Sequence, residues 1–117
     1  MRTIVKAAVV ASMVLAVPAA TAEPIVGGGY ADCSVLLDNN AFNVNQANMQ
    51  WLLGYLSGAA MSAEAMNQLH NVASNLPGNV SDSSTGTLVA RARQLCQNDR
   101  SDKLWQVATA MMIELGQ

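Results

Sequence analysis

The stretch Leu104-Trp105-Gln106-Val107-Ala108-Thr109-Ala110-Met111-Met112-Ile113-Glu114-Leu115 decides the fold class of this 117-residue chain. Leu104, Val107, Ala108, Met111, Met112 and Leu115 fall at i, i+3, i+4, i+7, i+8 and i+11, one apolar stripe of an α-helix. Ile113 lies off that stripe and is expected at the surface. Gly116 ends the segment. Ser101 is the expected N-cap, with Asp102 well placed near the positive helix end.

Upstream, Leu88, Ala92, Leu95 and Cys96 form the inner face of a preceding helix, which Ser83 or Ser84 can cap. Arg91, Arg93, Gln94 and Gln97 take its outer face. Further back, Met49, Leu52, Leu53, Leu56 and Ala60 repeat the helical spacing, with Asn43 or Asn45 as candidate N-caps. Only Gln50 and Ser57 interrupt the apolar character between Met49 and Met61, so this helix is expected to be the central one. Gly54 and Gly58 share a side of it and would let another backbone come close. Met66, Leu69, Ala73 and Leu76 continue a helical period, either in the same helix or in a separate one. Pro77-Gly78-Asn79 is read as a turn and Ser81 to Thr85 as a polar loop. Tyr30, Cys33 and Leu36 or Leu37 mark a short first helix that Asp38-Asn39-Asn40 terminates. No sustained alternation of the strand type occurs. The pattern predicts an all-α protein, a small four-helix bundle.

The first 22 residues read as a targeting segment. Arg2 and Lys6 precede the apolar run Ala7 to Val17, Pro18 breaks it, and Ala20-Thr21-Ala22 supplies small residues before a cleavage point. This eleven-residue run is too short for the ~20 of a membrane span. The expectation is a secretory signal peptide over 1–22, a single helical domain over 23–117, and a periplasmic location with no membrane span in the exported chain. Without Arg2 and Lys6, four basic side chains remain against eight acidic ones, a formal charge of −4.

The chain has two cysteines, Cys33 and Cys96. In an exported protein an even cysteine count reads as a disulfide. A bond across that separation would stabilise the fold by about 4 kcal/mol on the chain-entropy model. A metal site would have only His70 to join the two thiols. Free or intermolecular thiols are the remaining alternative. The bundle is thus expected to be cross-linked by one disulfide.

Composition narrows function by exclusion. With 51% hydrophobic and 12% charged residues the chain is not of the disordered class. It has no basic stripe to neutralise a row of phosphates, which argues against nucleic acid. His70 stands alone, the serines near Ser81 lack a nucleophile-elbow context, and no Gly-rich phosphate loop or His–acid cluster occurs. The expectation is a non-enzymatic protein with no catalytic residue, no metal and no cofactor. Met61, Met66, Met111 and Met112 could line an adaptable apolar surface, with ordinary core filling as the alternative. Ile113 and the low charge suggest a homodimer.

Two segments carry a resemblance. The order is Cys33-Ser34-Val35-Leu36-Leu37-Asp38, then Trp51-Leu52-Leu53-Gly54-Tyr55-Leu56-Ser57-Gly58, then Leu95-Cys96-Gln97-Asn98-Asp99-Arg100-Ser101-Asp102-Lys103-Leu104 and a closing amphipathic helix. Over residues 30–115 this outline resembles the small periplasmic helical proteins grouped around the acid-stress chaperones HdeA and HdeB, and small exported immunity proteins share it. The resemblance implies two cysteines joined across the bundle and a protein that binds other proteins. It points either to a chaperone that holds unfolding clients in acid, or to an inhibitor that docks to one cognate partner such as a toxin. The chain departs from the acid chaperones in carrying fewer charges and a more apolar Trp51–Gly58 string.

Overall fold

The structure, a computed structural model, describes residues 27–117. The expected signal peptide over 1–22 lies outside the described residues. After a 3-10 turn at Gly27–Tyr30 come five α-helices: α1 Cys33–Asp38, α2 Ala47–His70, α3 Leu76–Asp82, α4 Thr85–Asn98 and α5 Leu104–Leu115. Among the described residues there is no strand, only an isolated antiparallel bridge between Asp32 and Lys103. The protein is an all-α bundle cross-linked by the Cys33–Cys96 disulfide.

The helix count differs from the expected four at Leu76-Pro77-Gly78-Asn79. Pro77 starts a helix there instead of making a turn. A first-turn residue has no intrahelical use for its N–H, and the proline ring already holds a helical φ. The ambiguous stretch from Met66 to Leu76 resolves the same way. Met66 to His70 belong to α2, whereas Leu76 opens α3. Between them Asn71 adopts φ 59°, and its N–H donates to the Asn67 carbonyl at 2.9 Å. A left-handed residue at this point is a common way for a helix to stop, and asparagine tolerates it better than most side chains.

Caps explain three further boundaries. Ser84 caps α4 as expected, accepting the Thr87 N–H at 3.1 Å. Neither Asn43 nor Asn45 caps α2, whose N-cap is Gln46. Asn43 instead accepts the Asn45 N–H at 3.1 Å and shapes the turn before the helix. Ser101 does not cap α5, because its hydroxyl and N–H both donate to the Asp99 carboxylate, at 2.6 and 3.1 Å. Lys103 takes the N-cap position, and its N–H donates to Oε1 of Gln106 at 2.8 Å.

The core joins Cys33 and Leu36 of α1 with Met49, Leu52 and Leu56 of α2. It continues through Leu88, Val89, Ala92 and Cys96 of α4 into Leu104, Val107, Ala108 and Met111 of α5. Among the described residues no polar or charged side chain is buried. Apolar burial therefore supplies the driving force, at roughly 25 cal/mol per Å². The start of α1 is held by the turn before α5. Cys33 N–H donates to the Asp102 carbonyl at 2.8 Å, Ser34 N–H to the Arg100 carbonyl at 3.1 Å, and Leu104 N–H to the Ala31 carbonyl at 2.9 Å. These bonds satisfy donors that a helix start leaves over.

Candidate functional site

Helix α2 is longer than the bundle it serves. Its buried stripe is Met49, Leu52, Leu56 and Ala60, and beyond Ala60 only Ala63 is even half-buried. The end of the helix carries Met61, Met66 and Leu69 into solvent, at 73%, 45% and 76% exposure, and Val72 follows at 48%. Isolated exposed apolar residues are ordinary, but several grouped on one helix end mark an interaction surface.

Short α3 lies beside this segment. Its position is fixed by two asparagines that reach the end of α5. Asn79 Nδ2 donates to the Leu115 carbonyl at 2.7 Å and Asn75 Nδ2 to the Gln117 carbonyl at 3.1 Å. The first of these reaches a carbonyl that the end of α5 leaves unpaired. Between α2 and α3 runs a groove of about 400 Å³, lined by Ser57, Ala60, Met61 and Glu64 on one side and Pro77, Val80 and Ser81 on the other. Its walls are mostly apolar, with the Glu64 carboxylate as the charged group in the lining. Glu64 accepts a hydrogen bond from Gln68 Nε2 at 3.0 Å, one helical turn on. A smaller cavity of about 340 Å³ lies between the loop before α2 and α4, lined by Phe42, Val44, Val89 and Arg93 among others.

The structure divides the five residues expected on one apolar surface. Met61 lines the groove and Met66 is exposed on the same helix end. Met111 is a correction. At 1% exposure it is a core residue, because its place on the α5 stripe faces α2 and α4. Met112 is half-buried against the core, and Ile113 is exposed at 57%, as its off-stripe position implied. The expected close approach at Gly54 and Gly58 is a second correction. A Cβ at either position would meet nothing within 4 Å. Both glycines lie on the outer side of α2, away from the helices that pack on its buried stripe. Leu69, Pro77 and Val80 are surface residues that the sequence reading missed. Met66 and Leu69 share a helical period with Ala73 and Leu76, and spacing alone does not tell an exposed face from a buried one. The signal that separates them is Asn71 and Pro77, which end α2 and redirect the chain.

Charge is sparse and lies at the periphery. Lys103 Nζ meets Asp32 at 2.8 Å, Arg100 meets Asp38 at 2.8 Å, and Arg91 holds Glu114 in a two-pronged contact. Hydrogen bonds from Arg91 hold the Glu114 carboxyl below its ordinary value, and Glu114 in turn raises Arg91. The Ser101 hydroxyl and N–H lower Asp99 in the same sense. His70 is exposed in the last turn of α2, where a cation interacts favourably with the helix dipole. Among the described residues no group of three or more His, Cys, Asp or Glu side chains is placed to hold a metal ion, and no helix is long and apolar enough to cross a membrane.

Comparison with known proteins returned no match to a family model, to a curated protein or to a solved structure.

Proposed function

We propose that this is a non-enzymatic periplasmic protein that binds other proteins, holding unfolding clients in the groove between α2 and α3 and on the projecting end of α2. One observation carries the reading. A mostly apolar groove and a methionine-bearing helix end stand open in a fold with no buried charge among the described residues. Methionine side chains adapt to irregular apolar partners, which suits clients without a fixed shape. The Arg91–Glu114 contact supports a response to acid, because Arg91 holds the Glu114 carboxyl below its ordinary value and that contribution is lost as pH falls. The Cys33–Cys96 disulfide ties α1 to α4 throughout.

A second reading, docking to one cognate partner such as a toxin, draws on Glu64. A single carboxylate in a mostly apolar groove gives a defined polar contact, the usual means of orienting one particular ligand. Light scattering of several aggregation-prone clients, at neutral pH and at about pH 3, tests both readings. Client holding requires suppression of several clients and its loss in Val80→Asp. Saturable binding of one partner with no general effect on aggregation supports docking. No binding of any protein, with Val80→Asp indistinguishable from the parent, overturns both.

A further inference from the structure

We infer that two copies of this chain pair through the outer face of α2, antiparallel, with Gly58 of each copy against Met61 of the other. At 100° per residue, the side of α2 opposite its buried stripe holds Ala47, Gly54, Gly58, Met61, Ala65 and Leu69, all exposed. Ala47, Trp51, Gly54, Gly58, Met61, Ala65 and Gln68 follow one another at alternating steps of four and three. That is the 3.5-residue repeat by which one helix lies along another. A solvent-facing side of a surface helix is ordinarily charged. Here the 24 residues of α2 carry one carboxylate, Glu64, and it points to the α3 groove instead.

The two glycines choose the partner. Glycine weakens a helix interior, and nothing among the described residues requires it here, since a Cβ at Gly54 or Gly58 meets none of their atoms within 4 Å. The space they leave suits a helix backbone or a bulky side chain from outside. A second α2 supplies both. With a two-fold axis crossing the face midway between Gly58 and Met61, Gly58 lies opposite the partner's Met61 and Gly54 opposite the partner's Ala65. Trp51 lies opposite the partner's Gln68, with Leu69 on the same flank. Small therefore meets large at the Gly58–Met61 pair on each side of the axis, and the Gly54–Ala65 pair lets the two backbones come close. A parallel pairing would set glycine on glycine and methionine on methionine, and would bring the two Glu64 carboxylates level. The antiparallel pairing keeps them about 13 Å apart along the axis. The face is a strip about 33 Å long and about 10 Å wide on each copy. That area falls below the ~1,200 Å² of stable interfaces, so the pair is weak and reversible.

The face shares only Met61 with the α2–α3 groove, but it overlaps the projecting end of α2 at Met61 and Leu69, so pairing and client holding compete for that end while the groove stays open. Sedimentation equilibrium of the purified protein, alongside Gly58→Leu and Val80→Asp, tests it. We expect a monomer–dimer equilibrium in the micromolar range for the parent and for Val80→Asp. Gly58→Leu should pair about tenfold or more weakly, since its side chain occupies the place of the partner's Met61. Thermal unfolding of dilute Gly58→Leu should match or exceed the parent, which separates lost pairing from lost folding. A parent that stays monomeric at all concentrations, or a Gly58→Leu variant that pairs as tightly as the parent, overturns the inference.

Discussion

Cys33, the first residue of α1, and Cys96, in the last turn of α4, are both fully buried, and their Cα atoms stand 5.1 Å apart. Their bond crosses the core itself. Leu36, Met49, Leu52, Ala92 and Leu104 belong to the same cluster. The α1 segment is only six residues long, too short to persist as a helix by local propensity. It holds its place through this bond, the backbone contacts to Arg100 and Asp102, and the burial of Leu36.

Removing the bond should therefore cost far more than a surface change. The Cys33→Ala/Cys96→Ala double variant is expected to lose about 2–5 kcal/mol of unfolding free energy, read from guanidinium denaturation. Equal midpoints for the variant and the parent would show that the bond adds nothing.

Within the core, Leu56 has no exposed surface and sits between α4 and α5 on the α2 stripe. Leu56→Ala should destabilise by about 2–5 kcal/mol. Leu69→Ala, at the exposed end of the same helix, should stay within about 0.5 kcal/mol of the parent. Thermal melts of the two variants side by side check the boundary at Ala60 between buried and projecting α2.

The left-handed stop of α2 rests on Asn71 at φ 59°. Asn71→Ala should cost about 1 kcal/mol and Asn71→Gly should be neutral or stabilising, because only the first adds a Cβ penalty without a compensating side chain. Hydrogen exchange at Asn67 to His70 reports the fraying directly.

Glu114 gives the pH dependence. Hydrogen bonds from Arg91 lower its folded-state pKa, so the contribution is present above the ordinary carboxylate range and is lost as pH falls through the lowered value. The pair is well exposed, so solvent screening keeps its worth small. Carbon-detected NMR titration should find Glu114 below a free glutamate, and Arg91→Ala should return it upward. An unchanged Glu114 in Arg91→Ala would remove the assigned cause.

Much of this architecture was legible because burial and helical period coincide. Leu104, Val107 and Ala108 on α5, and Leu88, Ala92 and Cys96 on α4, read as core and are core. The period misleads where a helix outruns its neighbours. Met66 and Leu69 keep a helical spacing, yet among the described residues nothing covers them. Periodicity reports a face and not what lies against it. The α3 helix was missed for a different reason. Pro77 and Gly78 disfavour helix interiors, but a seven-residue helix is nearly all terminus, and Asn75 and Asn79 anchor it by side-chain bonds to α5 that local sequence does not encode. The groove inherits that blindness, since half of its wall is α3.

The groove is the centre of the functional reading, and NMR mapping addresses it most directly. A permanently unfolded client, such as reduced and carboxymethylated lactalbumin, would be titrated into the isotope-labelled protein. We expect shift changes concentrated at Ala60, Met61, Glu64, Val80 and Ser81, with the dispersion of core signals such as Leu56 and Val107 retained. Unperturbed spectra at saturating client, or changes that avoid the α2–α3 groove, would contradict the reading.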